Sequence, residues 1–325
     1  MSIGREFHTA TTLANGSVLV TGGQSNSDYL NSAELYNLST GTWTITGNMS
    51  VTRQLHTAST LANGNVLVTG GDNGAIYHNS AELYNISTGI WTITANMSTI
   101  RFWHTASILT NGNVLVTGGS NGAITLNSAE LYNPSTGTWA ITRNMSAIRC
   151  LHTATTLANG SILVAGGSGA SYLSSAELYN PPTGTWTTTG IMNTARQLHT
   201  ASTLANGLIL VTGGQNSGGS INSAELYNPS TGTWTITANM SVARYYHTAS
   251  ILANGQVLVT GGVNTDSGNI LNSAELYNPS AGTWTTTANM SIARYYHIET
   301  ILANGKVLVA GGYNSGGVSN RAELY

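Results

Sequence analysis

The sequence predicts an all-β chain. It reads as a seven-bladed propeller of four-stranded antiparallel blades, with residues 1–325 forming a single domain and the last blade lacking its outer strand. Three observations carry this. The string HTATTLANGSVLVTGG at His8 returns, little changed, at His56, His104, His152, His199, His247 and His297. The spacings are 48, 48, 48, 47, 48 and 50 residues, the period of propellers and related arrays. Each unit holds four short runs of strand-forming residues separated by turn signals, and none shows sustained helical periodicity.

Within a unit the elements follow in order. HTATTLA opens strand A. Asn-Gly comes next in every unit, from Asn15-Gly16 to Asn304-Gly305, and predicts a two-residue type I′ hairpin with positive φ at both residues. VLVTGG is almost continuously apolar, as suits strand B buried on both faces. SAELY is strand C, and TGTWTIT, entered through Gly41 or its equivalents, is strand D. The seventh unit stops at Tyr325 before any such D segment, and Met1-Ser2 matches Met49-Ser50, which already lies past strand D. Blade seven is therefore expected to have three strands, with Ala322 to Tyr325 as an exposed edge. Such an edge invites pairing with another chain, so either truncation or self-association is expected.

Composition excludes several classes. Charged residues are 7% and the net charge is −2, so there is no basic footprint for nucleic acid or an anionic membrane surface. No apolar run approaches a spanning helix. Met1–Phe7 leads directly into repeat text, so no signal peptide is expected, and extracellular and cytoplasmic settings both fit. The single Cys150 builds no disulfide framework. Asn-x-Ser/Thr triplets recur (Asn48, Asn96 and others), as an Asn/Ser/Thr-rich repeat generates by composition.

The paired glycines (Gly22-Gly23, Gly70-Gly71 and their five equivalents) and a Tyr and Trp with six residues between them (Tyr36/Trp43, Tyr84/Trp91 and on to Tyr277/Trp284) resemble the kelch repeat of β-propellers. The resemblance covers essentially the whole chain. It implies a fold; function lives in sites grafted on it.

Arg stands three residues before each repeat histidine, and Glu two before each repeat tyrosine. Seven of each in register predict a buried Arg–Glu bond, with Arg offering a bidentate fork, that pins each D–A connection to its blade. Seven glutamates spread round a ring do not converge as catalytic pairs, nor do one histidine per blade meet on a metal ion. One kelch-type family, resembling galactose oxidase, holds copper with a Tyr-His dipeptide and a Cys cross-linked to a Tyr one repeat later. Tyr246-His247, Tyr296-His297 and Cys150 match parts of that pattern, but Leu198 stands where the cross-linked Tyr is needed. No enzyme activity, cofactor or metal is expected.

The units can be compared with one another. Every length difference falls in the B–C loop, one residue shorter before Ser175 and two longer before Asn272. Once the repeat Tyr and Trp are set aside, every remaining aromatic lies in a B–C loop or a D–A connection. So do His78, Asp28, Asp72 and Asp266. In a meander these connections emerge at one end. The candidate ligand-binding residues are Tyr29, Tyr77, His78, Phe102, Trp103, Tyr172, Tyr245, Tyr295 and Tyr313, with Tyr245 and Tyr295 as one platform. Aromatic faces suit sugar rings and apolar peptide side chains alike. The residue just before each histidine is always apolar and reads as half-buried packing. Glu299 replaces a strand-A alanine and reads as a channel carboxylate for a cation or polar ligand, or as compensation at the end of the array. The function these features point to is a non-catalytic binding module for a protein segment or a glycan. The alternative is an interaction scaffold within a larger chain, and a galactose-oxidase-like copper enzyme ranks third.

Overall fold

A computed structural model describes residues 1–325. Seven antiparallel sheets follow one another along the chain, the arrangement of a seven-bladed β-propeller. Blade one is Thr9–Thr12, Val18–Thr21, Ala33–Asn37 and Thr42–Ile45, strands A to D, hydrogen-bonded in that order. The other blades repeat it, except that the seventh has three strands, Ile298–Ile301, Val307–Ala310 and Ala322–Leu324. Ala322 is exposed there, whereas its equivalent Ala33 is fully buried. The chain forms two compact units. One holds Met1–Thr142 with Tyr296–Tyr325, the other Arg143–Tyr295.

Every B strand is buried along its whole length, as its unbroken apolar run requires. The cores lie between neighbouring blades. In the first unit Leu13, Leu19 and Ala33 meet Val66 and Tyr84 of the next blade. In the second, Leu157, Leu163 and Ala176 meet Ile209 and Tyr227. The repeat aromatics bridge the same gaps, and their polar atoms are satisfied across them. The Tyr84 hydroxyl bonds Thr46 Oγ1 at 2.7 Å, and Trp91 Nε1 donates to the Gly47 carbonyl at 2.8 Å. Burial of these large rings therefore leaves no orphaned donor.

The A–B turn differs from expectation. Leu13 N–H bonds Ser17 O and Gly16 N–H bonds Leu13 O, with positive φ at Gly16 (80°) but not at Asn15. This is a three-residue loop with glycine in the left-handed position rather than a type I′ pair. The asparagine acts through its side chain, Oδ1 accepting from Ser17 N–H at 3.0 Å.

The Arg–Glu pairs form as expected, but not as a fork. Arg149 Nη2 reaches Glu177 Oε1 at 2.8 Å, while Nη1 donates to the carbonyls of Gly166 and Ser175. The second carboxylate oxygen takes Ser146 N–H at 2.7 Å. The same arrangement recurs from Arg5–Glu34 to Arg244–Glu275. One arginine thus ties the D–A connection to both ends of the B–C loop, which positions the loop face. The glycine pair belongs to this joint. Gly22 has φ 60°, and a Cβ on it would lie 2.5 Å from Arg53 O and 2.8 Å from His56 Cε1.

Candidate functional site

The B–C and D–A connections do emerge together, and they pair. In blade one Glu6 forms a two-way backbone bridge with Gln24, and Gln24 with Tyr29. Opposed residues on antiparallel strands share a face, so each blade displays a row of three side chains. The rows are Glu6–Gln24–Tyr29, Gln54–Asp72–Tyr77 and Phe102–Ser120–Thr125 in the first unit. In the second they are Cys150–Ser168–Tyr172, Gln197–Gln215–Ser220 and Tyr245–Val263–Ile270. In blade seven Tyr313 pairs with Val318. The framework is the same in every blade; the rows are where blades differ. Sequence reading took these segments as loops, because two-residue ribbons carry no periodicity.

The predicted residues divide among several places. Tyr77 is 42% exposed and stacks on Phe102, centroids 4.9 Å apart and rings 11° from parallel. Trp103 follows at 4.9 Å from Phe102, which is itself buried. Tyr29 is half-buried and lies over Gly74 of the next B–C loop, where any Cβ would collide with its ring. Tyr172 and Tyr313 are half-buried row members. His78 does not join this surface: it is 8% exposed and its Nε2 bonds Thr52 O at 3.1 Å. Burial and the nearby Arg53 hold its imidazole below the usual pKa.

Tyr245 and Tyr295 are linked, but through a residue outside the predicted set. Tyr246 lies 4.9 Å from Tyr245 and 6.2 Å from Tyr295. It belongs to the position before each histidine, and there the structure departs most from the sequence reading. Phe7, Leu55, Trp103, Leu151, Leu198, Tyr246 and Tyr296 all have φ between 52° and 55°. Bulky residues rarely occupy this left-handed region. In three of these residues the N–H turns to the preceding blade: Leu55 donates to Phe7 O at 3.2 Å, Trp103 to Leu55 O at 3.3 Å, and Leu198 to Leu151 O at 3.1 Å. All seven side chains are half-buried, and in the first unit the Phe7 and Tyr296 rings lie 3.9 Å apart. No glycine or asparagine marks these positions, so nothing in the sequence signals them.

Two further side chains bear on the chemistry. Glu6 is 9% exposed, and burial pushes its pKa up to about 7. Glu299 takes the strand position of Ala10 and Ala58, which pack toward neighbouring blades, so the register does not aim it along the channel. Clefts of about 250–280 Å³ lie at the opposite end, between the A–B and C–D turns.

The repeat histidines serve the framework. His56 Nε2 bonds Thr9 Oγ1 at 3.1 Å and Thr21 Oγ1 at 3.3 Å. His199 bonds Thr153 at 3.0 Å and His247 bonds Thr200 at 3.1 Å. The residues of the copper pattern do not fit a metal centre. His247 is turned into its blade joint, Cys150 Sγ faces the Ser168 carbonyl at 3.5 Å, and no three His, Cys, Asp or Glu side chains gather anywhere.

Among solved structures, a fungal alcohol oxidase of the AA5 family in complex with copper is similar in fold. Its TM-score is 0.78 at 20% identity, over 96% of this chain and 70% of that one. No curated protein matches by sequence. The Kelch motif matches residues 7–50, 55–98, 104–146, 149–193, 198–241 and 244–291. With six matched repeats laid over blades of the corresponding fold, the chain belongs to the kelch-repeat family of β-propellers.

Proposed function

We propose that this chain is a non-catalytic binding module that takes a protein segment or a glycan on the loop face built by the B–C and D–A connections. One observation carries the reading. A constant Arg–Glu–glycine joint holds equivalent ribbons in six blades, and the side chains that differ between blades are the ones those ribbons display. A scaffold without a ligand has no need to hold varied side chains on so regular a frame. Spare aromatics concentrate in the rows and at the positions just before the repeat histidines. They supply large contact area with little ordering entropy, and tyrosine adds a hydroxyl for hydrogen bonding.

The test is a peptide and glycan array with the wild type, followed by the double substitution Tyr245→Ala, Tyr295→Ala on any hit. Loss of at least tenfold in affinity supports the assignment. Thr44→Ala and Thr92→Ala on exposed outer strands serve as the control. An unchanged affinity in the tyrosine pair, with weakening in the control, overturns it.

A further inference from the structure

The row of blade one differs from the others in chemistry. Gln54 and Gln197 occupy the position of Glu6, and each bonds its row partner: Gln54 Nε2 donates to Asp72 Oδ1 at 3.1 Å, and Gln197 Nε2 to Gln215 Oε1 at 3.4 Å. Glu6 is as deeply placed, 9% exposed against 8% for Gln54. Yet no hydrogen bond or ion pair engages its carboxylate. Buried carboxylates are normally paired or neutralised. Its direction follows from the chain. Arg5 is turned inward onto Glu34 and the Gly22 and Ser32 carbonyls. Successive residues of an extended segment point to opposite sides, so Glu6 points to the loop face, alongside Gln24 and Tyr29.

We infer that blade one carries a cation subsite, in which the Glu6 carboxylate receives the ammonium or guanidinium end of a basic side chain from the bound protein segment. The inference rests on the binding-module reading above and chooses, between its two ligand classes, the peptide. The Gln24 side-chain carbonyl offers a second acceptor on the same face, and the Tyr29 ring in the same row suits the stem or the charge of Lys or Arg. A neutral sugar hydroxyl can hydrogen-bond the carboxylate but leaves its buried negative charge unpaired, whereas an ammonium or guanidinium both donates and neutralises it.

Protonation competes with the cation. Glu6, with its pKa near 7, is about half charged at neutral pH. Other ionisable groups on the elements around it are accounted for. Arg5 is committed to Glu34, His8 is buried, Asp28 sits exposed at the loop tip, and Tyr29 and Tyr296 are phenols. Arg321 follows the blade-seven ribbon and is exposed. Binding of a basic side chain should therefore tighten with rising pH, about tenfold from pH 6 to pH 8.

The experiment uses fluorescein-labelled peptides Gly-Ser-X-Ser-Gly, with X as lysine, arginine, norleucine or glutamate, read by anisotropy against wild type, Glu6→Gln, and the Tyr245→Ala, Tyr295→Ala pair. The expected result at pH 8 is at least tenfold preference for lysine and arginine over norleucine. That preference falls away toward pH 6 and is lost in Glu6→Gln. Glu6→Gln removes a buried charge, so it should melt no lower than wild type, and the wild-type pH profile tests the same point without any substitution. Equal binding of lysine and norleucine peptides, or a basic preference that survives in Glu6→Gln, overturns the inference. If peptides or glycans bind without charge preference and the tyrosine pair weakens them, the cation subsite falls while the binding module stands. If nothing binds in this experiment or on the arrays, both fall.

Discussion

Acid should begin to destabilise this protein at about pH 6.5, before its ordinary carboxylates protonate. His8, His56, His104 and His199 are 5–6% exposed. Burial, then the neighbouring arginine, holds each imidazole below its ordinary pKa, to about 3 for His104 and His199. The unfolded chain takes up these protons as pH falls through about 6.5, and the folded chain does not. Stability is therefore complete above about 6.5 and declines steadily below it. Each group contributes about 1.4 kcal/mol per pH unit, so four contribute about 5. Glu6 has the opposite sign. Its folded pKa, about 7, is raised, so below pH 7 the folded state binds the extra proton and offsets about 1.4 kcal/mol per unit. The net is about 4 kcal/mol per unit just below pH 6.5, a large fraction of the about 10 kcal/mol of an ordinary domain, so the urea midpoint should fall clearly between pH 7 and pH 5. The assay is urea unfolding by tryptophan fluorescence at half-unit steps from pH 8 to pH 4. His104→Gln, which can keep a bond to Thr57, should reduce the net slope by about a third. A urea midpoint that stays flat between pH 7 and pH 5 would refute the reasoning, since the histidines would then not be buried and neutral.

Three further outcomes are expected. Glu177→Ala strips a 2.8 Å partner from Arg149, which is 0% exposed, and leaves Ser146 N–H without its acceptor; breaking such a pair costs about 3–5 kcal/mol, read as a lower urea midpoint. Its carboxyl is pushed up by burial, but the Ser146 N–H and Arg149 outweigh this and hold it below the usual range, so its contribution is present at neutral pH and lost only as pH falls through that lowered value. Gly22→Ala should destabilise by about 2 kcal/mol or more, because φ is 60° and the new Cβ would lie 2.5 Å from Arg53 O; equal melting temperatures would show that the joint can yield. The third strand of blade seven leaves an unpaired edge at Ala322–Leu324, and we propose that it pairs with a second copy; light scattering after size exclusion should show concentration-dependent dimers, reduced by Leu324→Lys, and a monomer at every concentration argues against it.

The repeat alone determined the blade number, the strand order, the buried B strands, the three-stranded seventh blade and the end of the molecule where blades differ. These follow from period and polarity, which are local properties repeated seven times. The Arg5–Glu34 partnership was legible too, because a charge that recurs in register on a buried strand has to find its opposite. The tertiary structure decided what the charges and turns do in detail. It gave Arg149 two backbone carbonyls instead of a fork, and made Asn15 a side-chain acceptor instead of a left-handed residue. It buried His78 against Thr52 O and put Tyr246 between Tyr245 and Tyr295. It also held Phe7, Leu55 and Trp103 at positive φ and left Glu6 without a partner. None of these is encoded by residue type, because each depends on what the adjacent blade places opposite. Leu55 and Leu198 sit in the left-handed region with a neighbouring blade's carbonyl taking their N–H, and Glu6 is orphaned because the row beside it offers no cation.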